Sequence, residues 1–249
     1  KIAFEGKRAI GVQLTQSAGA TLVRARQEVI VAAGALQTPI LLARSGIGHP
    51  SDLARIGVPV LAPSPDVGFH LQDHPYLPLQ IHTDFPCELA VGEYNELFAF
   101  YDTLPSKRSG ERERGHTLEV ELQFTPKCRY VKDSSHSQKL SYKVYLILLH
   151  SRTVGRVTPR SADPADPPLV LFDPFAGEGT DARFLIRHVQ ELYSLLRSGS
   201  SDFASKLRFD PPESTMFDPV KSGQYCAQNL GLWQHPTGTA RIGDVVDHE

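Results

Sequence analysis

The chain has 249 residues, 41% of them hydrophobic, and carries 26 basic against 28 acidic side chains for a formal charge of −2. This is enough material for a sizeable core in one large domain or two intertwined ones. The interspersed charges leave no basic footprint for nucleic acid or an anionic membrane surface, and no apolar run reaches the length of a membrane span.

In chain order, residues 2–4 and 10–14 read as two strands joined by a turn at Glu5-Gly6-Lys7. Residues 21–24 form a further strand. The run 29–33 is apolar throughout, the pattern of a strand covered on both faces, although a buried helix carries the same signature. Gly34 ends that run, and Thr38-Pro39 supplies a capping hydroxyl followed by proline in a first helical turn. The helix continues through Ala43 and stops at Ser45-Gly46-Ile47-Gly48. A buried strand, a glycine turn and a helix start together make a candidate anion or cofactor site, but Gly34-Ala35-Leu36 is not a dinucleotide fingerprint.

Further on, Leu118, Val120, Leu122 and Phe124 alternate with polar neighbours, the period of a half-buried strand. Residues 142–149 and 156–160 are two more strand candidates, which predicts an antiparallel sheet with one wet face. Arg152, Arg156 and Arg160 alternate along a stretch that leads into and through the last of these, a pattern that can meet a carboxylate but is also common on solvated strands. The mixed-sign run 107–114 reads as a solvated loop and 162–168 as a proline-rich turn. Phe184, Leu185, Val189, Leu192, Leu195 and Leu196 fall at helical spacing across 180–197, with Gly199 as the stop. Residues 208–221, rich in Pro, Asp and Ser, read as a long connection.

Cys87, Cys128 and Cys226 are widely spaced and lack metal-ligand spacing, so no metal is expected. Three cysteines cannot all pair internally, which points towards a reducing, intracellular compartment. Cys226 reads as a small buried hydrophobe.

The segment Trp233-Gln-His235-Pro236-Thr237-Gly238-Thr239-Ala-Arg-Ile-Gly243 has no apolar periodicity. Pro236 pushes His235 towards an extended backbone, so the ring projects from a stiff support. Histidine is the side chain best matched to acid/base work near neutral pH. The alternative is a histidine packed beside a proline turn.

Four motifs in order carry a resemblance. They are Gly34-Ala-Leu-Gln-Thr-Pro-Ile-Leu-Leu-Ala-Arg-Ser-Gly-Ile-Gly48, the loop Asp66-Val-Gly-Phe-His-Leu-Gln-Asp-His74, Ser151-Arg-Thr-Val-Gly-Arg-Val157 with Ser161-Ala-Asp-Pro164, and His235 to Gly243. Together they resemble the glucose–methanol–choline flavoprotein oxidoreductases. The resemblance implies a mixed α+β and α/β fold: part of a Rossmann-like FAD-binding domain, plus an antiparallel-sheet substrate domain with helices on one side. The implied division is 1–74 and 233–249 for FAD binding and 75–232 for the substrate. It implies FAD as cofactor, an alcohol as substrate, and an electron acceptor that is oxygen or another compound. His235 is the implied base, taking the hydroxyl proton as hydride passes to flavin N5. Gly34, Ala35, Asp73, His74, His235, Pro236 and Thr237 are implied at the cofactor, and Trp233 with His235 at the substrate. The pattern departs from the family in lacking a GxGxxG turn and in ending at Asp247-His248-Glu249, short of the second catalytic His or Asn. The expectation is therefore of a chain cut at both ends. Family relatives with flavin but other chemistry, such as hydroxynitrile lyases or photodecarboxylases, and a catalytically incomplete fragment are the alternatives.

Overall fold

The computed structural model describes residues 1–16, 19–87, 97–101, 120–130 and 138–247. The charged run at 107–114, Leu118, His116, His136 and His248 lie outside the described residues. In chain order the first strands are β1 (Ile2–Glu5), β2 (Arg8–Gln16) and β3 (Gly19–Arg24), followed by helix α1 (Gly34–Arg44). Next come β4 (Ile47–Gly48), α2 (Pro50–Arg55), β5 (Ala62–Pro63), β6 (Phe69–Leu71), β7 (Pro75–Pro86) and β8 (Leu97–Tyr101). Strands β9 (Val120–Tyr130), β10 (Gln138–Leu148), β11 (Gly155–Thr158) and β12 (Leu169–Leu171) precede α3 (Ala176–Arg197) and α4 (Ser201–Ser205). Last are β13 (Leu207–Asp210), α5 (Glu213–Met216), α6 (Pro219–Asn229) and β14 (Gly231–Leu232).

These elements form two compact units that share the chain. The first comprises Lys1–Gln72, Thr153–Asp173 and His235–Glu249; the second comprises Asp73–Arg152 and Pro174–Gln234. Thr153–Asp173, expected within 75–232, thus belongs to the first unit.

In the first unit, β1, β2 and β3 make an antiparallel sheet, and Gly6 turns the first hairpin at φ 59°, a backbone region glycine enters without a Cβ penalty. The apolar run at 29–33 departs from expectation. It is neither strand nor helix, no described segment pairs with it, and Ile30 is 80% exposed. Apolar content alone does not make a strand; a ladder partner does. Helix α1 also begins earlier than expected: Ala33 is its N-cap, without a side-chain cap bond, and Pro39 lies inside the helix. Thr38 is therefore not the cap. The helix buries Ile40 against Leu71 of β6 and Val157 of β11.

Strand β11 lies between β12 and β6 in a separate three-stranded sheet, not in the large antiparallel sheet expected for 156–160. The carboxylate that meets Arg156 is internal. Its guanidinium pairs with Asp52 of α2 and lies 4.2 Å over the Phe69 ring. Arg55 donates to the Pro159 carbonyl at 2.6 Å, and Arg44 to those of Ser161 and Asp166 at 3.1 and 3.0 Å. Arginines from two helices thereby tie down the proline-rich turn.

The second unit is built on the antiparallel sheet β13-β7-β10-β9-β8, with β14 also on β7. Alternation works as the period of two requires: Leu77, Leu79, Ile81, Val120, Leu122, Val144 and Leu146 are buried in one core with Leu185, Val189 and Tyr193 of α3. Met216 and Cys226 of α5 and α6 join the same core, so the helices cover one face. Each fully buried Leu or Val there contributes about 1.5–3 kcal/mol by leaving water. The opposite face carries Tyr76 and Tyr145, which meet edge-on at 5.3 Å.

Residues 208–221 are not a long connection. They contain the end of β13, all of α5 and the start of α6. The Asp and Pro that suggested a loop are capping chemistry: Asp218 accepts from the N–H groups of Val220 and Lys221 at 3.0 Å, and Pro219 occupies the first turn. Those bonds hold the Asp218 carboxyl below its ordinary range. Cys87 and Cys128 form a disulfide, with Cα atoms 5.5 Å apart, which removes the premise for a reducing compartment. Cys226 is free and buried, and desolvation pushes its thiol up to about 12.

Arg197, at the end of α3, grips Glu213 with two bonds of 3.0 and 2.8 Å, donates to the Leu207 carbonyl at 3.1 Å and lies over Phe209. Its bond to Glu213 holds that carboxyl below the ordinary range. A depressed carboxylate contributes stability above its unfolded pKa of about 4.3 and loses it as pH falls through the folded value. Both groups are partly exposed, so screening keeps the effect modest. Glu213→Gln is expected to flatten the decline of stability below pH 4.5 while lowering stability at pH 7, read by urea unfolding at several pH values. An unchanged acid limb would show that the pair carries none of it.

Candidate functional site

The candidate residues fall into two groups, one in each unit. In the first unit, His235 is exposed and begins the segment His235-Pro236-Thr237-Gly238-Thr239. That segment is clamped to the loop leading into and out of β6. Gln72 and Thr237 exchange both backbone bonds, at 3.0 Å from the Gln72 N–H and 2.9 Å from the Thr237 N–H. The Gly68 N–H donates to the Thr239 carbonyl at 2.9 Å. Between them Gly238, at φ 91°, lies so close to the loop that an added Cβ would stand 2.1 Å from the His70 carbonyl oxygen. Only glycine fits there. The loop bends to receive the segment, with His70 itself at φ 61°.

Gly34 and Ala35 open α1 in the same unit. The Thr239 hydroxyl donates to the Ala35 carbonyl at 2.6 Å, and Thr239 is 1% exposed. The segment bearing His235 and the start of α1, which hold the expected cofactor residues Pro236, Thr237, Gly34 and Ala35, are thus tied together. The first turn of α1 contains no acidic side chain and no side-chain cap, and a Cβ added at Gly34 would meet nothing within 4 Å. A helix start of this kind, with its N–H groups uncapped and space beside its glycine, suits an electron-rich polar group.

The second unit holds Asp73, His74 and Trp233. Asp73 is 7% exposed, and its carboxylate accepts from the His74 N–H at 2.7 Å. The His74 carbonyl accepts from the Trp233 N–H at 2.9 Å. Trp233 packs against Tyr76 at 5.1 Å and Tyr145 at 5.0 Å, three rings tilted to one another as aromatic quadrupoles prefer. Asp73 and His74 are bound up in backbone geometry here. Tyr76 and Tyr145 were not among the expected site residues, and His70 and Thr239 entered only as members of their motifs. The two tyrosines were readable only as polar-aromatic positions on a strand, and Thr239 only as a hydroxyl after a glycine. Among the described residues, no cluster of three or more His, Cys, Asp or Glu side chains is arranged to hold a metal ion. Among the described residues, no helix is long and apolar enough to cross a membrane.

Comparison with known proteins agrees with these motifs. Residues 1–76 match the family model described as GMC oxidoreductase. The chain is 26% identical over 275 residues to an oxygen-dependent choline dehydrogenase of Brucella canis, covering 99% of this chain and 47% of that protein. A second oxygen-dependent choline dehydrogenase, from Chromohalobacter salexigens, is 29% identical over 262 residues, covering 98% and 46%. The chain spans about half the length of the curated relatives it matches. Among solved structures, formate oxidase aligns with a TM-score of 0.76 at 22% identity, over 98% of this chain and 50% of that one. Pyridoxine 4-oxidase from Mesorbium loti aligns at 0.72 and 23%, over 99% and 48%. The fold is therefore the mixed α/β fold of these enzymes. In its N-terminal region and its fold the chain is thus similar to the glucose–methanol–choline (GMC) oxidoreductases.

Proposed function

We propose that the chain carries the base and part of the cofactor-binding surface of an FAD-dependent enzyme that oxidises the CH–OH group of an alcohol. The observation that carries this reading is the clamp on the His235 segment, three backbone bonds and one part-buried hydroxyl bond that fix it on the β6 loop and the start of α1. A general base must be held within hydrogen-bond reach of the proton it takes, and a fixed backbone provides that. When bound, FAD supplies the hydride acceptor at N5 of its ring. His235 takes the hydroxyl proton on an unprotonated ring nitrogen, which favours departure of hydride from the carbinol carbon. The uncapped N–H groups of α1 at Gly34 and Ala35 are assigned to the cofactor's polar edge. Asp73 and His74 are assigned to its surroundings, and Trp233 with Tyr76 and Tyr145 to an aromatic wall for the substrate.

The test uses the 249-residue chain itself. It is mixed with FAD, desalted and examined by visible absorption, then titrated anaerobically with alcohols of differing size. A retained flavin spectrum that bleaches with one of them is the expected result. Reoxidation by air then distinguishes an oxidase from a dehydrogenase. Turnover of an alcohol without bleaching would instead assign lyase chemistry, and a colourless protein would show that this chain does not hold the flavin by itself.

A further inference from the structure

We infer that Thr239 is a positioning residue for His235, acting by satisfying a helix carbonyl that Pro39 orphans; the inference rests on the reading of His235 as the base. In an α-helix each N–H donates to the carbonyl four residues earlier. Pro39 lies inside α1 and has no N–H, so the Ala35 carbonyl loses the donor it would have had. The Thr239 hydroxyl, 1% exposed, supplies one from the far end of the sequence at 2.6 Å. Thr239 is also held through its own carbonyl by the Gly68 N–H at 2.9 Å. One residue therefore fastens the His235 segment to two separate elements, the helix by its side chain and the β6 loop by its backbone.

The proline and the threonine make a pair. With Pro39 present, removing the hydroxyl leaves the part-buried Ala35 carbonyl without either donor, which is costly where water cannot replace it. The segment can relieve this only by shifting towards water, and such a shift carries His235 with it. With a residue bearing an N–H at position 39, the helix closes its own bond and the hydroxyl becomes dispensable. A threonine that merely filled space would show no dependence on position 39.

The experiment compares Thr239→Val, which keeps the shape and loses the donor, with Thr239→Ser, which keeps the donor. Each is made with and without Pro39→Ala. The chain is labelled with ¹³C-histidine, and the His235 imidazole signal is identified by its loss in His235→Ala. The expected result is that Thr239→Val shifts or broadens the His235 signal, that Thr239→Ser does not, and that adding Pro39→Ala to Thr239→Val returns the signal towards its original position. Thermal unfolding should follow the same order, with the Tm loss from Thr239→Val smaller when Pro39→Ala is also present. An unmoved His235 signal in Thr239→Val, or an equal Tm loss in both backgrounds, overturns the inference. Neither readout needs flavin or substrate. Failure of the base assignment would appear separately, as unchanged turnover in His235→Ala.

Discussion

His235→Ala is expected to lower kcat by about 10²–10⁴-fold in the assembled enzyme, the range general acid–base groups contribute, while the flavin is retained. The side chain is exposed, so its removal leaves no cavity. The backbone bonds that hold the segment are made by Gln72, Thr237, Gly68 and Thr239, none of which needs the imidazole. The loss should fall equally on kcat and kcat/KM, the signature of an interaction made in the transition state rather than on binding. Anaerobic stopped-flow reduction of the flavin by alcohol measures it. Reduction within a few-fold of the unsubstituted rate would remove His235 from the chemistry, whatever the resemblance implies.

Gly238→Ala should be strongly destabilising, by about 3–5 kcal/mol. Two costs add. At φ 91° an alanine pays for a backbone conformation that L-residues avoid. Its Cβ would also stand 2.1 Å from the His70 carbonyl oxygen and 3.2 Å from its carbon. Neither neighbour can give way as a flexible side chain would, because both are backbone atoms of His70 in β6, itself held at φ 61°. The control is Gly6→Ala. That position also has positive φ, 59°, but nothing lies within 4 Å of the added Cβ, so only the conformational cost of roughly 1–2 kcal/mol remains. Urea unfolding of the two variants separates strain from collision. Equal losses would mean that the contact between Gly238 and the β6 loop relaxes freely, and the clamp on His235 would then be loose.

What the sequence made legible divides by the range of the physics involved. The hairpin at Gly6, the helix ending at Arg197 and the alternation through Val120, Leu122 and Phe124 rest on local periodicity and turn chemistry, and the structure contains all three. The run at 29–33 shows the limit of composition, since Ile30 is apolar and exposed where no described strand pairs with it. Asp218 and Pro219 were misread because loops and helix caps draw on the same residues, and only the direction of the bonds to Val220 and Lys221 distinguishes them. The Cys87–Cys128 pair was hidden because spacing along the chain does not encode proximity across a sheet. At the site, the His235 motif could be found by its pattern. Its attachment to Ala35 could not, since a hydroxyl at Thr239 and a missing N–H at Pro39 are 200 residues apart and neither is unusual alone.

The chain passes from the first unit to the second and back twice, the last return coming between Gln234 and His235. This order has a consequence for synthesis. As the chain leaves the ribosome, every residue of the second unit has been made before His235 emerges, whereas the first unit still lacks the segment that pairs with Gln72 and Gly68. The second unit can therefore close cotranslationally around its sheet while the first waits, its β6 loop exposing N–H and carbonyl groups that the later segment will take up. The candidate base thus reaches the first unit only after the second has been made, and its segment takes up the bonds that Gln72 and Gly68 had held open.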